Sequence, residues 1–156
     1  MDKIRITFVC FGNICRSPMA EFLMKELVQD KGTADKFEID SAATNGCETG
    51  SPVHYGTARI LERTGIDFSS KRARKLNASD YGKSDYFIGM DAMNIRDMKR
   101  LLNGDPEGKV RLLLDFTDDK RDVADPWYTG NFEQTFKDVT RGINGFYEYL
   151  EKEGKV

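Results

Sequence analysis

The sequence predicts a single α/β domain in which helices cover both faces of a parallel sheet. Four short apolar runs, each bounded by charged, Gly or Asn residues, are typical of buried strands. Helical patterns alternate with these runs, and this alternation indicates right-handed crossovers between parallel strands. Because the chain has 156 residues, about the length of one domain, we expect the domain to span residues 1–156.

The predicted strands are Ile4–Val9, Phe37–Asp40, Asp85–Met90 and Val110–Leu114. A first helix is indicated by apolar residues at the i, i+3, i+4, i+7, i+8 spacing, namely Ala20, Leu23, Met24, Leu27 and Val28. Two further helices are marked by the sets Ile95, Met98 and Leu102, and Phe132, Phe136, Val139, Ile143, Phe146 and Leu150. In such sheets, ligands bind beyond the carboxyl ends of the strands.

One long connection, Asp115–Gly130, has little helical or strand pattern and follows the last predicted strand. Loops of this length are usually functional or mobile. It starts at the same edge of the sheet as the loop after the first strand, so we expect the two loops to face each other.

Composition excludes several classes of function. The chain has 24 basic and 26 acidic residues, a net charge of −2, and no long block of one sign. This charge distribution argues against binding to nucleic acid or to a membrane surface. The first residues lack the apolar core of a signal peptide. We therefore expect a cytoplasmic monomer whose three cysteines stay reduced.

The first strand leads directly into the segment Cys10–Pro18, CFGNICRSP, and then into the first helix. Gly12 and Asn13 tolerate positive φ, so the loop can curl until its backbone N–H groups converge on one point. An anion there would also meet the positive end of the helix. The predicted phosphate-binding residues are Phe11, Gly12, Asn13, Ile14, Cys15 and Arg16.

Cys10 and Arg16 lie at opposite ends of this loop. The guanidinium group suits bidentate phosphate binding, and the positive surroundings favour a nucleophilic thiolate at Cys10. Ser17 is placed to donate a hydrogen bond to that sulfur. A reactive thiolate is also the first thiol to oxidise. Because Cys15 lies in the same short loop as Cys10, we expect it to serve as the redox partner of Cys10 in a reversible disulfide.

The sequence resembles the low-molecular-weight protein tyrosine phosphatases over nearly the whole chain. The resemblance rests on four segments: Val9–Glu21 with its CxGNICRSPxAE pattern, Asp40–Thr44, Met90–Asn94, and Asp125–Tyr128. It implies a four-stranded parallel sheet of flavodoxin-like order 2-1-3-4 and hydrolysis of phosphotyrosine in proteins and of small aryl phosphates.

For the site, the resemblance implies a Cys10 nucleophile that forms a phosphocysteine, with Arg16 as phosphate clamp and Asp125 as general acid and then base. Asn13, with Ser17 and Ser41, is expected to support the loop. No cofactor or metal is expected, and the sequence shows no acidic cluster suited to Mg²⁺.

Asp125 also fits the chemistry of a proton donor without any resemblance. Expelling a phenoxide requires an acid, and Pro126 biases Asp125 toward an extended conformation that presents its carboxyl group. Trp127 and Tyr128 follow it, and with Phe11 they offer aromatic walls that suit an aryl phosphate.

The chain departs from the family pattern at two positions. Cys47 stands where an aromatic residue is common, which makes the opposite wall of the substrate site smaller. Lys71 stands where many relatives have a histidine that braces the Asn13 network.

Three alternatives compete with this interpretation. A zinc site of Cys10, Cys15, Cys47 and His54 has the right ligand types, but an arginine inside an anion-binding loop disfavours a cation. An arsenate reductase of the thioredoxin-coupled type needs further cysteines, and none follows Cys47. A catalytically silent phosphotyrosine-binding module has no need of both a nucleophile and an acid.

Overall fold

A computed structural model describes residues 2–156; residue 1 of the predicted domain lies outside the described part. Residues 2–156 contain a four-stranded sheet of order β2-β1-β3-β4 in which every pair is parallel. The strands are β1 Ile4–Cys10, β2 Phe37–Ala43, β3 Tyr86–Gly89 and β4 Val110–Leu112. The predicted fold class and strand order are confirmed.

Helices pack on both faces of this sheet. They are α1 Arg16–Asp30, α2 Tyr55–Leu61, α3 Ala92–Leu101, α4 Pro126–Thr129 and α5 Phe132–Lys152. On one face, Phe8 and Ile88 share a buried core with side chains of α1 and α5, such as Met24 and Phe146. On the other face, the side chains of Val9, Phe87, Met98 and Leu102 form a second core that includes α3. Strand β1 therefore lies buried at the centre and carries the loop after Cys10 at its carboxyl end.

The longest helix, α5, is amphipathic. Its buried residues recur at helical spacing, from Val139 through Ile143 and Phe146 to Leu150, while charged side chains occupy the opposite face. In the part of the chain that the structure describes, no helix is long and apolar enough to cross a membrane.

Some element boundaries differ from the prediction. Strand β2 continues three residues further, to Ala43, because small side chains fit beside the end of β1. Strand β4 stops at Leu112, and Leu113–Phe116 forms a 3₁₀ turn packed beneath α5. Helix α2 was not predicted, since its seven residues are too few to show a clear apolar periodicity.

The predicted loop Asp115–Gly130 is not structureless throughout. Residues Pro126–Thr129 form the single helical turn α4, which Asp125 caps and Gly130 ends with a φ of 70°. Pro126 at its first position is favourable because proline has no N–H to leave unpaired there. The turn fixes the backbone on the carboxyl side of Asp125.

Candidate active site

The segment between β1 and α1 is a short loop at the carboxyl edge of the sheet. Cys10 is the last residue of β1, and Arg16 is the first of α1. Asn13 adopts the left-handed conformation at φ 59°, which asparagine tolerates better than most residues. Gly12, in contrast, does not adopt a positive φ, so the curl depends on Asn13 and not on both residues as the sequence suggested.

The backbone N–H groups of this loop are available to a ligand. Among residues 2–156, the N–H groups of residues 11–15 donate no hydrogen bond to a protein acceptor. Apart from the exposed Phe11 and the partly exposed Gly12, the residues of this loop are buried, with Asn13 at 1% and Arg16 at 2% exposure. Buried donors normally have partners, so a run of unpaired donors beside the amino end of α1 indicates an anion-binding loop.

The side chain of Asn13 holds the loop from below. Its Nδ2 donates to the Oγ atoms of Ser17 (2.8 Å) and Ser41 (2.9 Å), and its Oδ1 accepts from the backbone N–H of Arg74 (3.1 Å). The Oγ of Ser17 in turn lies 3.0 Å from the Sγ of Cys10. The predicted supporting residues are therefore joined through Asn13, and Ser17 is the one that contacts Cys10.

Arg16 connects this loop to the long connection after β4. Its Nη1 donates to Asp91 Oδ2 (2.7 Å) and to the carbonyl oxygen of Val123 (2.8 Å). Its Nη2 donates to Asp125 Oδ2 (3.3 Å). The two loops face each other as expected, and a buried guanidinium group joins them.

The pKa of Arg16 is raised above its ordinary value. Burial opposes this shift, but the negative charge of Cys10 and the hydrogen bond to Asp91 outweigh it. A permanently charged guanidinium group in this position attracts the dianionic end of a phosphate monoester.

Asp91 is a site residue to which sequence analysis assigned no role. It follows β3 and caps α3, because its Oδ1 accepts from the N–H of Asn94 (2.8 Å). Its other oxygen is the one that binds Arg16. The sequence carried one indication of a role in the site, which is that Asp91 follows a strand and so lies at the carboxyl edge of the sheet. The pattern Asp91-x-x-Asn94, however, is also explained by helix capping alone.

Cys10, Arg16 and Asp125 line one open cavity of about 180 Å³. The predicted wall residues line it as well: Phe11, Cys47, Trp127 and Tyr128. Three of them expose aromatic rings, with Trp127 at 60% and Tyr128 at 82% exposure. Glu48 also lines the cavity, although nothing in the sequence indicated that this residue belongs to the site. The cavity thus combines an anion-binding floor with aromatic walls suited to a phenyl ring.

His54 lies next to Trp127, one of the walls of this cavity. Its ring stacks on Tyr55 and Phe132, at 4.4 and 5.2 Å between centroids, and meets the edge of Trp127 at 5.8 Å. Its Nδ1 accepts from the N–H of Gly56 (3.1 Å) and caps α2. The imidazole ring therefore supports the aromatic wall, while the backbone N–H of His54 donates to the carbonyl oxygen of Ile14 in the phosphate loop (2.9 Å).

The three cysteines occupy different environments. Cys10 and Cys15 are buried and Cys47 is exposed. Burial, together with the charge of Cys10, raises the pKa of Cys15 to about 12. Over residues 2–156, no three His, Cys, Asp or Glu side chains are grouped as metal ligands.

Comparison with known proteins identifies the family. The family model for low molecular weight phosphotyrosine protein phosphatase matches residues 5–156. The chain belongs to this family. The expected family and its protein-tyrosine-phosphatase activity are thereby confirmed.

Individual relatives agree with this assignment. The phosphatase is 40% identical over 155 residues to the low molecular weight protein-tyrosine-phosphatase YfkJ of Bacillus subtilis, covering 98% of this chain and 99% of the relative. It is 35% identical over 154 residues to PtpA of Staphylococcus epidermidis, covering 98% and 97% of the two chains.

Solved structures show the same architecture. The crystal structure of YfkJ superposes on the phosphatase with a TM-score of 0.93 at 39% identity, covering 98% of both chains. A low molecular weight protein tyrosine phosphatase from Streptococcus pyogenes superposes with a TM-score of 0.81 at 37% identity, covering 96% of this chain and 92% of the other.

Proposed function

We propose that the phosphatase hydrolyses phosphotyrosine through a covalent phosphocysteine on Cys10. The observation that carries this proposal is the convergence of Cys10, Arg16 and Asp125 on one cavity floored by unpaired backbone N–H groups. The loop amides and Arg16 hold the phosphoryl oxygens, and the Cys10 sulfur faces the phosphorus atom. No metal takes part in this mechanism.

In the first step, the Cys10 thiolate attacks phosphorus, and a P–S bond forms as the P–O bond to the tyrosine ring breaks. Asp125 donates its proton to the departing phenolic oxygen, which leaves as a neutral phenol. Ser17, with its Oγ at 3.0 Å from the Cys10 sulfur, donates a hydrogen bond that stabilises the thiolate before attack and when it leaves again.

In the second step, water attacks the phosphocysteine. The Asp125 carboxylate, now deprotonated, accepts a proton from this water, and the P–S bond breaks to release phosphate and the Cys10 thiolate. Arg16 contacts the transferred group in both steps, because Asp91 and the Val123 carbonyl hold its guanidinium group in place from the other side.

The general-acid role of Asp125 predicts a dependence on the leaving group. Asp125→Asn keeps an oxygen for the cap of α4 but cannot donate a proton. We expect kcat/KM, which reports the phosphorylation step, to fall about 10²- to 10⁴-fold for phenyl phosphate and much less for an activated aryl phosphate, since its leaving group needs no proton. Steady-state kinetics with a series of aryl phosphates measures this difference.

Asp122→Asn is the matched control, because Asp122 lies in the same connection and its side chain accepts a hydrogen bond from the N–H of Ala92 (3.0 Å), which an asparagine oxygen can also accept. It should show no dependence on the leaving group. If Asp125→Asn lowers kcat/KM by the same factor for all aryl phosphates, Asp125 is not the general acid.

We also propose that Cys15 protects Cys10 against irreversible oxidation. Peroxide converts the Cys10 thiolate to a sulfenic acid, and the Cys15 thiol then condenses with it to form a disulfide and release water. Because its raised pKa of about 12 keeps Cys15 protonated in the reduced enzyme, peroxide reacts first at Cys10.

This proposal predicts a difference in recovery. Wild type and Cys15→Ser should both lose activity in peroxide, but a dithiol should restore wild type and leave most Cys15→Ser inactive. Peptide mapping after mild oxidation should show a Cys10–Cys15 linkage. Equal recovery of the two proteins would contradict a protective role for Cys15.

For the wider setting, we propose that the substrates are phosphotyrosine-containing proteins and that the phosphatase acts as a cytoplasmic monomer. The open cavity with exposed aromatic walls supports access by a side chain on a protein surface. The balanced charge of −2 supports a freely diffusing protein rather than one bound to nucleic acid or membrane.

A further inference from the structure

A buried ion pair lies beneath the phosphate loop and is not used by the mechanism above. The Nζ of Lys71 lies 3.2 Å from Glu21 Oε1 and donates to the carbonyl oxygen of Ser41 at 2.9 Å. The side chains of Lys71 and Glu21 are only 9% and 3% exposed. A buried carboxylate is costly unless it is paired, so Glu21 depends on its cationic neighbours.

This ion pair is linked to the nucleophile by a chain of hydrogen bonds. Ser41 Oγ donates to Glu21 Oε1 at 2.6 Å. Because Ser41 uses its hydroxyl proton on this carboxylate, its oxygen accepts from Asn13 Nδ2. The second Nδ2 proton of Asn13 goes to Ser17 Oγ, and the Ser17 proton is then free to point at the Cys10 sulfur.

The direction of this chain is fixed by the segment that carries Lys71. The backbone N–H of Arg74 can only donate, and it binds Asn13 Oδ1 at 3.1 Å. This contact turns the Nδ2 group of Asn13 toward the two serine hydroxyls. Lys71 thus acts at the Glu21 end of the chain that leads to Cys10, and Arg74 acts on Asn13 in its middle.

The charges around Glu21 balance when Lys71 is present. Lys25 also binds Glu21, at Oε2 and 2.7 Å, but its side chain is 35% exposed. Asp40 pairs with both Lys71 (3.2 Å) and Arg74 (2.8 Å), whose charges lower the pKa of Asp40 against the opposing effect of burial. Three cations face three anions in this cluster: Lys25, Lys71 and Arg74 against Glu21, Asp40 and Asp80.

We propose that Lys71 is a positioning residue for Cys10, because its ammonium group neutralises the buried Glu21 carboxylate at the far end of the hydrogen-bond chain. Without Lys71 the cluster carries one uncompensated negative charge, which disfavours a second negative charge on the Cys10 sulfur. The charged residues that line the cavity with Cys10, namely Arg16, Glu48 and Asp125, do not change. This inference rests on the proposed role of Cys10 as nucleophile.

The test measures how readily Cys10 ionises, without using turnover. The rate of alkylation by iodoacetamide is followed against pH in a Cys47→Ser background, which removes the exposed thiol. Cys15 does not compete, since its pKa is about 12. For Lys71→Met we expect the midpoint of the pH profile to rise by about one unit, which is a tenfold slower reaction below the midpoint.

Two variants separate charge compensation from a merely structural role. Glu21→Gln should lower the midpoint of the pH profile, the opposite of the effect of Lys71→Met. This measurement is informative even if Lys71→Met does not fold. The double variant Glu21→Gln/Lys71→Met should return the midpoint to near its wild-type value. A shift that persists in the double variant, or an upward shift in Glu21→Gln, would overturn the proposal.

Lys25→Met is the matched control, because it removes an ammonium group from the same carboxylate at a more solvated position. We expect a clearly smaller shift, since exposed ion pairs contribute little. An equal shift in Lys25→Met and Lys71→Met would also overturn the proposal. Failure of the nucleophile assignment itself would appear elsewhere, as turnover that survives Cys10→Ser.

Discussion

Cys10→Ser is expected to abolish turnover of p-nitrophenyl phosphate, with kcat lowered by about 10⁴-fold or more. The serine hydroxyl is not ionised at neutral pH and is a far weaker nucleophile than a thiolate. Its smaller side chain fits the same position at the end of β1, next to Ser17. The loop N–H groups and Arg16 remain, so inorganic phosphate should still bind.

Kinetics and phosphate titration together check this result. Wild type in EDTA is the accompanying control, and it should keep its full activity because the mechanism uses no metal. Retained turnover in Cys10→Ser would contradict nucleophilic catalysis by Cys10. Complete loss of wild-type activity in EDTA would contradict the metal-free mechanism.

Arg16→Ala is expected to lower kcat/KM for aryl phosphates by about 10³-fold or more, with losses in both phosphate affinity and kcat. The guanidinium group contacts the phosphoryl oxygens throughout the reaction. Its removal also leaves the Asp91 and Asp125 carboxylates without the cation that each contacts now, at 2.7 and 3.3 Å. Repulsion between these carboxylates and the substrate adds to the loss.

Two other arginine variants sharpen this test. Arg16→Lys keeps the charge but not the planar fork, and it should recover only part of the activity. Arg96→Ala removes an exposed arginine whose side chain is 69% accessible and lies outside the cavity, and it should behave as wild type. An Arg16→Ala protein with unchanged phosphate affinity would contradict the clamp.

The fold was predictable because its central elements carry strong local signals. The strand Ile4–Cys10 is mostly apolar and is interrupted only by Arg5 and Thr7, and helix Phe132–Lys152 shows a long amphipathic period. Helix Tyr55–Leu61 and the turn Pro126–Thr129 are too short for such a period. Their formation depends on caps by His54 and Asp125, which a sequence pattern alone does not distinguish from turns.

The site was predictable where chemistry and local sequence coincide, as in the loop from Cys10 to Arg16. The contact between Asp91 and Arg16 joins residues 75 positions apart, so only the assembled sheet edge brings them together. The same holds for Lys71 and Glu21, whose pairing depends on how the chain after α2 returns beneath the loop. Charged residues on separate segments carry no pairing signal in one sequence.

The most direct test of the account is detection of the covalent intermediate. Wild type is mixed with ³²P-labelled aryl phosphate, quenched in acid within one turnover and digested, and the labelled peptide is mapped. We expect one phosphate on the peptide that contains Cys10. A larger amount should be trapped in Asp125→Asn when the leaving group is an activated phenol that needs no proton, because the substitution then slows mainly the attack by water. Labelled phosphate released at the normal rate with no label on Cys10, or label on a different residue, would contradict the account.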